Sequence, residues 1–267
     1  MDAKADRTDA AGGNRSLDLA LDVLLTLARQ PGPVGLSDLA RLCGLSAPKV
    51  HRYLASFAHA GLVAQTGRSA KYDLGPSAIR LGLAALDRHD FVDEAADGLD
   101  QLVAETGMTA MVCVWGDHGP TVVRWRRATA LVVASMGLGT TLPLLTSATG
   151  RVFLAWLPGE VTRDLLDAEF AAAAKSRSLP ADLDATPDGA RALAETVRAA
   201  GHSGVDGKYI PGLVAAAAPV LDWQNEVQAV VTLIGTQPEG IDPDGMAVKA
   251  LKAHCAARSL NRGDESE

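Results

Sequence analysis

The feature that most constrains the fold is a pair of short helical segments joined by a tight turn. Apolar residues recur with helical spacing over residues 36–43 and again over residues 50–58, and Gly44 separates the two runs. Ser37 is the predicted N-cap of the first helix, and Ser46 is that of the second. Such a pair is a helix-turn-helix, in which the second helix enters the major groove of DNA.

Two flanking segments extend this pair to a winged helix-turn-helix. A helix is predicted over residues 17–28, and it ends at Pro31–Pro33 because proline cannot continue it. Residues 62–65 and 70–74 are strand-like around a glycine-containing turn, which is typical of a hairpin. Since residues 50, 54, 57 and 58 are the expected buried stripe, the basic side chains face outward. The predicted DNA-binding residues are Ser46, Ala47, Pro48, Lys49, His51, Arg52 and Tyr53 on the helix, with Arg68 and Lys71 on the wing.

The charge distribution favours the same interpretation. Residues 1–86 carry ten basic and seven acidic side chains, whereas the remainder carries 15 basic and 25 acidic ones. A basic segment joined to a larger acidic one is typical of a nucleic-acid-binding head on a sensor body. The alternative is a winged helix that contacts another protein, and it predicts no sequence-specific affinity for DNA.

Beyond this head, strand and helix patterns are mixed along the chain. Strands are predicted over residues 108–115, 121–127, 131–136, 214–221 and 227–234. Helices are predicted over residues 78–86, 92–106, 148–156, 160–174, 188–200 and 245–258. Ser147 is the expected cap of the helix over residues 148–156, and Asp242 that of the last one. The mixture predicts an α+β fold.

Composition excludes several classes of protein. Hydrophobic residues make up 48% of the 267-residue chain, so a core can form without disulfide or metal staples. The three cysteines are odd in number and never spaced as CxxC, which excludes a disulfide framework and a structural zinc module. No apolar run reaches the roughly 18–20 residues of a membrane span, and the first residues lack a signal-peptide core. We expect a cytoplasmic protein with no cofactor, metal or membrane partner.

No catalytic motif stands out. The sequence contains no GxxxxGK[ST], GxSxG or HExxH. His202, Ser203 and Asp206 are the residue types of a catalytic triad, but they lie too close along one segment to adopt its geometry. Cys113 and Cys255 are expected core residues, and Cys43 has a redox switch as the alternative to a core position. We therefore expect a protein that is not an enzyme.

Several motifs, in order over residues 14–258, resemble the IclR family of bacterial transcriptional regulators. In the head they are GLSAPKVHRYLASFAHAGLV (44–63) and KYDLGPSAIRLG (71–82). In the second half they are LPLLTSATGRVFLAWLP (142–158), AGHSGVDG (200–207), GLVAAAAPVLD (212–222) and VVTLIGT (230–236). The resemblance implies a winged-helix head, a linker helix, and an effector-binding domain of GAF/profilin-like type built on an antiparallel sheet.

It also implies a dimer or a dimer of dimers, double-stranded operator DNA as the partner, and an organic acid as effector, with repression the expected outcome. The expected domains are a disordered tail at 1–13, the head at 14–75, the linker helix at 76–91, the effector domain at 92–258 and a second disordered tail at 259–267. The expected effector-binding residues are Leu144, Ala148, Thr149, Gly150, Val205, Asp206, Ala215, Thr232 and Ile234.

The chemistry of these positions indicates the kind of effector. Backbone N–H groups of residues 148–150 open a predicted helix, and they can hold a carboxylate without a basic side chain. Ala215 and Ile234 are apolar, and Thr232 is the polar exception among the strand positions. An aromatic or alkyl acid therefore fits better than a very small polar acid. The alternative is that these are ordinary core positions.

Overall fold

The computed structural model describes residues 14–66, 70–86, 88–128, 136–176 and 186–260. Its residues form two compact units that divide between His89 and Asp90, and each unit has its own apolar core. Arg68, residues 131–135 of a predicted strand, and the expected tail at 1–13 lie outside the described residues. No helix in the described ranges is both long enough and apolar enough to span a bilayer.

The N-terminal unit is a winged helix-turn-helix. Its elements are α1 (Arg15–Ala28), α2 (Leu36–Leu42), α3 (Ala47–His59), β1 (Val63–Thr66), β2 (Lys71–Leu74) and α4 (Pro76–Leu86). The two strands pair antiparallel as the wing, and Val34 adds an antiparallel bridge to Tyr72. Fully buried Val23, Leu39 and Leu54 join the three helices of the head in one core. The predicted winged helix-turn-helix is confirmed.

Local differences from the predicted helices have simple causes. The N-cap of α2 is Gly35, so the expected cap at Ser37 is wrong, and Ser37 lies inside the first turn. Gly44 has φ +62°, a left-handed conformation that favours glycine and makes the tight turn before α3. Tyr53 replaces Ala58 in the buried stripe of α3, because the buried residues follow the i, i+3, i+4 spacing from Val50.

The C-terminal unit is a five-stranded antiparallel sheet with helices on both faces. Its strands are β3 (Thr109–Gly116), β4 (Gly119–Arg126), β5 (Ser203–Asp206), β6 (Val214–Leu221) and β7 (Val227–Gly235), in the spatial order β4-β3-β7-β6-β5. Its helices are α5 (Phe91–Ala96), α6 (Leu99–Thr106), α7 (Ala148–Trp156), α8 (Gly159–Ser176), α9 (Pro187–Ala200) and α10 (Met246–Arg258). The predicted α+β class with an antiparallel C-terminal sheet is confirmed.

Successive side chains along each strand alternate between two separate apolar cores, one on each face of the sheet. On β7, Val231 and Leu233 face α5, α6 and α10, whereas Val230 and Ile234 face α7 and α9. Successive side chains of a strand point to opposite faces of the sheet, and both faces of this one are covered, which explains its near-continuous apolar strands. The face toward α7 carries the cavity described below.

Three features of this unit differ from the predictions. Gly98, with φ +74°, divides the single helix expected over residues 92–106 into α5 and α6. The strand β5 was not expected, because four residues give too short a pattern to detect. Helix α10 is capped by Gly245, while the Asp242 carboxylate accepts a hydrogen bond from the Asp244 backbone at 3.0 Å instead.

Candidate functional site

Helix α3 presents a polar, basic face to solvent. Pro48, His51 and Arg52 are exposed, and Lys49 is partly exposed. Lys49 and Arg52 are three residues apart, so they are neighbours on the helix surface. Within the described ranges neither side chain forms an ion pair, which leaves both charges available to phosphate or to base edges.

The start of α3 offers fewer donors than a typical helix N-terminus. Pro48 has no N–H, and the Lys49 N–H already donates to the Ser46 carbonyl at 3.0 Å. The Ser46 side chain makes no capping bond, and its residue is exposed. The Ser46 hydroxyl and the Ala47 N–H are therefore the groups at this end that can meet a phosphate.

Tyr53 is a correction to the predicted DNA contacts. Its side chain is 8% exposed and packs in the core of the head. Its hydroxyl lies 3.3 Å from the Ser16 hydroxyl of α1. The helical spacing that buries Val50 and Leu54 buries Tyr53 as well, so its ring connects α3 to α1. On the wing, Lys71 is exposed as the first residue of β2.

In the C-terminal unit a cavity lies between the sheet and the start of α7. Its floor comes from two rows of directly paired residues, in which partners across strands share one face of the sheet. One row runs Met111, Thr232, Ala217, and the next runs Ile234, Ala215, Val205. The cavity is lined by Met111, Met136, Leu142, Ser147, Ala148, Thr149, Val205, Tyr209, Ile210, Leu213, Ala215, Thr232 and Ile234.

The cavity is apolar and narrow. Its empty space, including the open mouth, is about 380 Å³, and about 30 Å³ of this is wide enough for the centre of a water molecule. The smaller figure is the enclosed space, and it lies far below the roughly 300–1,000 Å³ of small-molecule sites. A ligand larger than a few waters therefore has to displace side chains of the wall, of which Met111 and Met136 are unbranched and adaptable.

The N-terminus of α7 supplies the polar end of the cavity. The Ser147 hydroxyl caps the helix by accepting from the Gly150 N–H at 2.9 Å, and it donates to the Pro143 carbonyl at 2.5 Å. The Ala148 and Thr149 N–H groups donate no hydrogen bond within the described residues. Of the three donors expected for a carboxylate, Gly150 is thus occupied by the cap, and two remain at the positive end of the helix dipole.

A pair of buried hydroxyls joins the helix to the sheet beside these donors. Thr149 Oγ1 and Thr232 Oγ1 lie 2.8 Å apart, and both residues are 1% exposed. One hydroxyl donates to the other, and this bond fixes the start of α7 to β7 in the wall of the cavity. Burial raises the pKa of the neighbouring Cys113 thiol to about 12, so this thiol stays protonated and is not a reactive thiolate.

Three expected effector residues lie outside the lining of the cavity. Leu144 is fully buried in a different cluster, which includes residues of α8 and α9. Gly150 packs beneath the Pro143 carbonyl, and Asp206 is exposed at the end of β5. Asp206 also lies on the opposite face of β5 from Ser203, so the triad geometry considered for His202, Ser203 and Asp206 is absent.

The loop before α7 is held from outside the cavity by Glu169 of α8. One carboxylate oxygen accepts from the Leu144 N–H at 2.6 Å, and the other accepts from the Leu145 N–H at 2.9 Å. Burial raises the pKa of this carboxyl, and the two backbone bonds act in the opposite direction. From the other side, Arg151 Nε donates to the Leu145 carbonyl at 2.8 Å.

Sequence reasoning missed part of the cavity wall. Met111 could have been found, since it lies directly opposite Thr232 once the strands are paired in register. Ser147 was expected as a cap and not as a lining residue. Tyr209, Ile210 and Leu213 lie between β5 and β6, where no periodic pattern marks their position.

Comparison with known proteins identifies two family domains in this chain. The IclR helix-turn-helix domain matches residues 16–67, and the C-terminal domain of bacterial transcriptional regulator IclR matches residues 83–259. Transcriptional repressor IclR of Escherichia coli is 28% identical over 250 residues, covering 91% of this chain and 89% of that protein. The acetate operon repressor of Salmonella typhimurium is 28% identical over 263 residues, or 94% of each chain.

A solved structure agrees over nearly the whole length. The crystal structure of HmgR from Pseudomonas aeruginosa superposes with a TM-score of 0.82 at 36% identity, covering 92% of this chain and 97% of that one. The two family domains together span most of the chain, with the DNA-binding domain first. The chain belongs to the IclR family of DNA-binding bacterial transcriptional regulators.

Proposed function

We propose that this protein is an operator-binding repressor whose affinity for DNA falls when a small carboxylic acid occupies the α7 cavity. The observation that carries the proposal is that the N–H groups of Ala148 and Thr149, two residues that line the mainly apolar cavity, have no acceptor within the described residues. Two N–H groups at a helix N-terminus can donate to a carboxylate and hold it without a basic side chain. The relatives named as repressors support the direction of the response.

The DNA contacts follow from the exposed face of α3. We assign Lys49 and Arg52 to base edges or phosphates, the Ser46 hydroxyl and the Ala47 N–H to a phosphate, and Lys71 to the backbone beside the wing. Pro48 and His51 complete the contact surface. A homodimer, or a dimer of dimers, places two such helices on a near-palindromic operator.

The apolar lining supports an acid with an apolar body. Ala215, Ile234, Leu142 and Leu213 offer no hydrogen bond from their side chains, so binding here gains from the burial of apolar surface. An IclR homolog from Microbacterium hydrocarbonoxydans has been solved in complex with 4-hydroxybenzoate. At 19% identity and a TM-score of 0.52 it supports the fold alone, but its ligand gives a reasonable first acid to test.

The test is fluorescence anisotropy of labelled DNA from upstream of the protein's own gene, compared with scrambled DNA of the same length at two salt concentrations. We expect specific binding at least ~10³-fold tighter than binding to the scrambled control. Addition of 4-hydroxybenzoate or a related aromatic acid should release the specific DNA and leave the weak binding unchanged. Equal, strongly salt-dependent binding to both DNAs would contradict operator recognition.

A cavity-filling variant separates effector binding from DNA binding. Ala215→Leu adds three carbons to the floor of the cavity, so we expect the acid to lose most of its affinity while DNA binding stays at the wild-type level. Titration calorimetry with the acid and anisotropy with the DNA measure the two properties independently. Release of DNA by the acid at unchanged potency in Ala215→Leu would place the effector elsewhere.

A further inference from the structure

The indole N–H of Trp125, on β4, is a buried donor without an acceptor. Its nitrogen is inaccessible to solvent and has no hydrogen-bond partner within the described residues. An unsatisfied buried donor carries a desolvation penalty, so a native structure that keeps one needs a reason. A ligand that supplies the missing acceptor is one such reason.

The register of the sheet places Trp125 beside the cavity. Trp125 is directly opposite Met111, and Met111 is directly opposite Thr232, so the three side chains share one row on one face of the sheet. Met111 and Thr232 line the cavity, and Trp125 packs against the same apolar cluster. Trp125 is therefore the next side chain along the cavity floor, toward the β4 edge of the sheet.

The distance between the two ends of this row sets the size of the ligand. Neighbouring strands are about 4.8 Å apart, so Trp125 on β4 and Thr232 on β7 are separated by about 10 Å. The two free N–H groups of α7 lie at the Thr232 end, since Thr149 Oγ1 contacts Thr232 Oγ1 at 2.8 Å. A benzoate with one polar group in the para position is of comparable length, so a single-ring acid fits this row.

Met111 is the side chain between the present cavity and the indole. It is 2% exposed, and its three rotatable bonds let it change rotamer where a branched side chain would be fixed. Its movement enlarges the narrow cavity in the direction of Trp125. On the same ring, the Arg127 guanidinium carbon lies 5.8 Å from the Trp125 ring centroid, a cation–π contact that holds the ring in place.

We propose that the Trp125 indole N–H donates to a second polar group of the effector, at the end remote from its carboxylate. The effector class is then a single-ring acid that carries a hydrogen-bond acceptor opposite its carboxylate. This inference rests on the proposed effector function of the cavity. The row of side chains places the indole N–H at the end of the cavity floor remote from Thr232 and α7, where this acceptor would lie.

The test compares two acids of the same shape on three proteins. In 4-acetylbenzoate the substituent carries a carbonyl oxygen where 4-isopropylbenzoate carries a methyl group, so only the first offers an acceptor. The proteins are the wild type, Trp125→Phe, which keeps an aromatic ring and loses the N–H, and Trp115→Phe as the matched control. Trp115 packs against the same cluster, and its ring contacts Phe153 edge-on. Affinities are measured by titration calorimetry.

We expect the wild type and Trp115→Phe to prefer 4-acetylbenzoate by about 3- to 10-fold, the net value of one hydrogen bond. Trp125→Phe should lose this preference while its affinity for 4-isopropylbenzoate stays unchanged. A preference that persists in Trp125→Phe would overturn the assignment of Trp125 and leave the cavity proposal standing. Failure of both acids to bind the wild type would overturn the effector class itself, and the role of Trp125 with it.

Two further readouts exclude a merely structural role. In proton NMR spectra, the indole N–H signal of Trp125 is identified by its absence from Trp125→Phe. In the wild type this signal should move downfield with 4-acetylbenzoate and not with 4-isopropylbenzoate. Without ligand, Trp125→Phe should lose no more stability than Trp115→Phe, because each change shrinks a packed ring and neither breaks a hydrogen bond of the indole. A melting temperature that falls further than in Trp115→Phe would show that the N–H is bonded within the protein, against the proposal.

Discussion

At the residue scale, Gly150 determines how closely α7 approaches the loop before it. A Cβ at this position would lie 2.1 Å from the Pro143 carbonyl oxygen and 2.5 Å from the Leu144 Cα. Both atoms belong to the backbone, so no change of rotamer relieves the contact. The free N–H groups of Ala148 and Thr149 are positioned by this same turn.

We expect Gly150→Ala to lower the free energy of unfolding by about 1–3 kcal/mol, as an overpacked site does, and to abolish acid binding. Chemical denaturation and calorimetry check the two effects. The control is Gly159→Ala at the start of α8, where an added Cβ meets nothing within 4 Å. A Gly150→Ala protein as stable as the Gly159→Ala protein would contradict the close approach.

Arg52 is the residue whose loss should weaken operator binding most clearly. We expect Arg52→Ala to cost about 1–3 kcal/mol in binding to the specific DNA if the guanidinium reads a base. Lys49→Ala should act in the same direction, whereas Arg29→Ala, an exposed arginine after α1, is the control. Anisotropy titrations of all three variants give the comparison, and wild-type affinity in Arg52→Ala would remove this residue from the interface.

At the element scale, α8 holds the loop before α7 through the half-buried carboxylate of Glu169, and this contact predicts a pH effect. Burial raises the pKa of Glu169 above 4.5 in the folded protein, so the native state binds a proton more readily than the unfolded chain. Stability contributed by this group therefore rises as the pH falls through the folded pKa. Relative to Glu169→Gln, the wild type should gain free energy of unfolding between neutral pH and about pH 4.5, and a pH-independent difference would refute the assignment.

Helices and strands with a regular spacing of apolar residues could be predicted from the sequence. Features that depend on tertiary packing could not. Helix α7 was expected at its observed bounds, because Ser147 supplies the cap and an apolar run follows it. The predicted caps at Ser37 and Asp242 were wrong because these helices begin after Gly35 and Gly245, which have no side chain that marks them as caps. The family resemblance implied Val205, Ala215, Thr232 and Ile234 in the cavity, whereas Met111 and the wall beyond β5 were not expected.

At the scale of the whole molecule, operator recognition by a dimer requires a fixed spacing between half-sites. Two recognition helices related by a twofold axis reach successive major grooves about 34–36 Å apart. Insertion of five base pairs between the half-sites should abolish tight binding, because it rotates one half-site by about half a turn. Insertion of ten base pairs restores the helical phase and is the control, with anisotropy as the measurement. Equal affinity for the operator and for both insertion variants would contradict binding by a dimer.

The run of alanines on β6 lets single substitutions change which acids fit the cavity. Ala215 and Ala217 point toward the cavity face, while Ala216 and Ala218 pack on the opposite core. Because Ala215 lines the cavity and contributes only a methyl group, the size of the cavity can be changed by single substitutions there that leave the strand pairing intact. A small library at residue 215 is thus a practical starting point for biosensors that respond to acids of graded length.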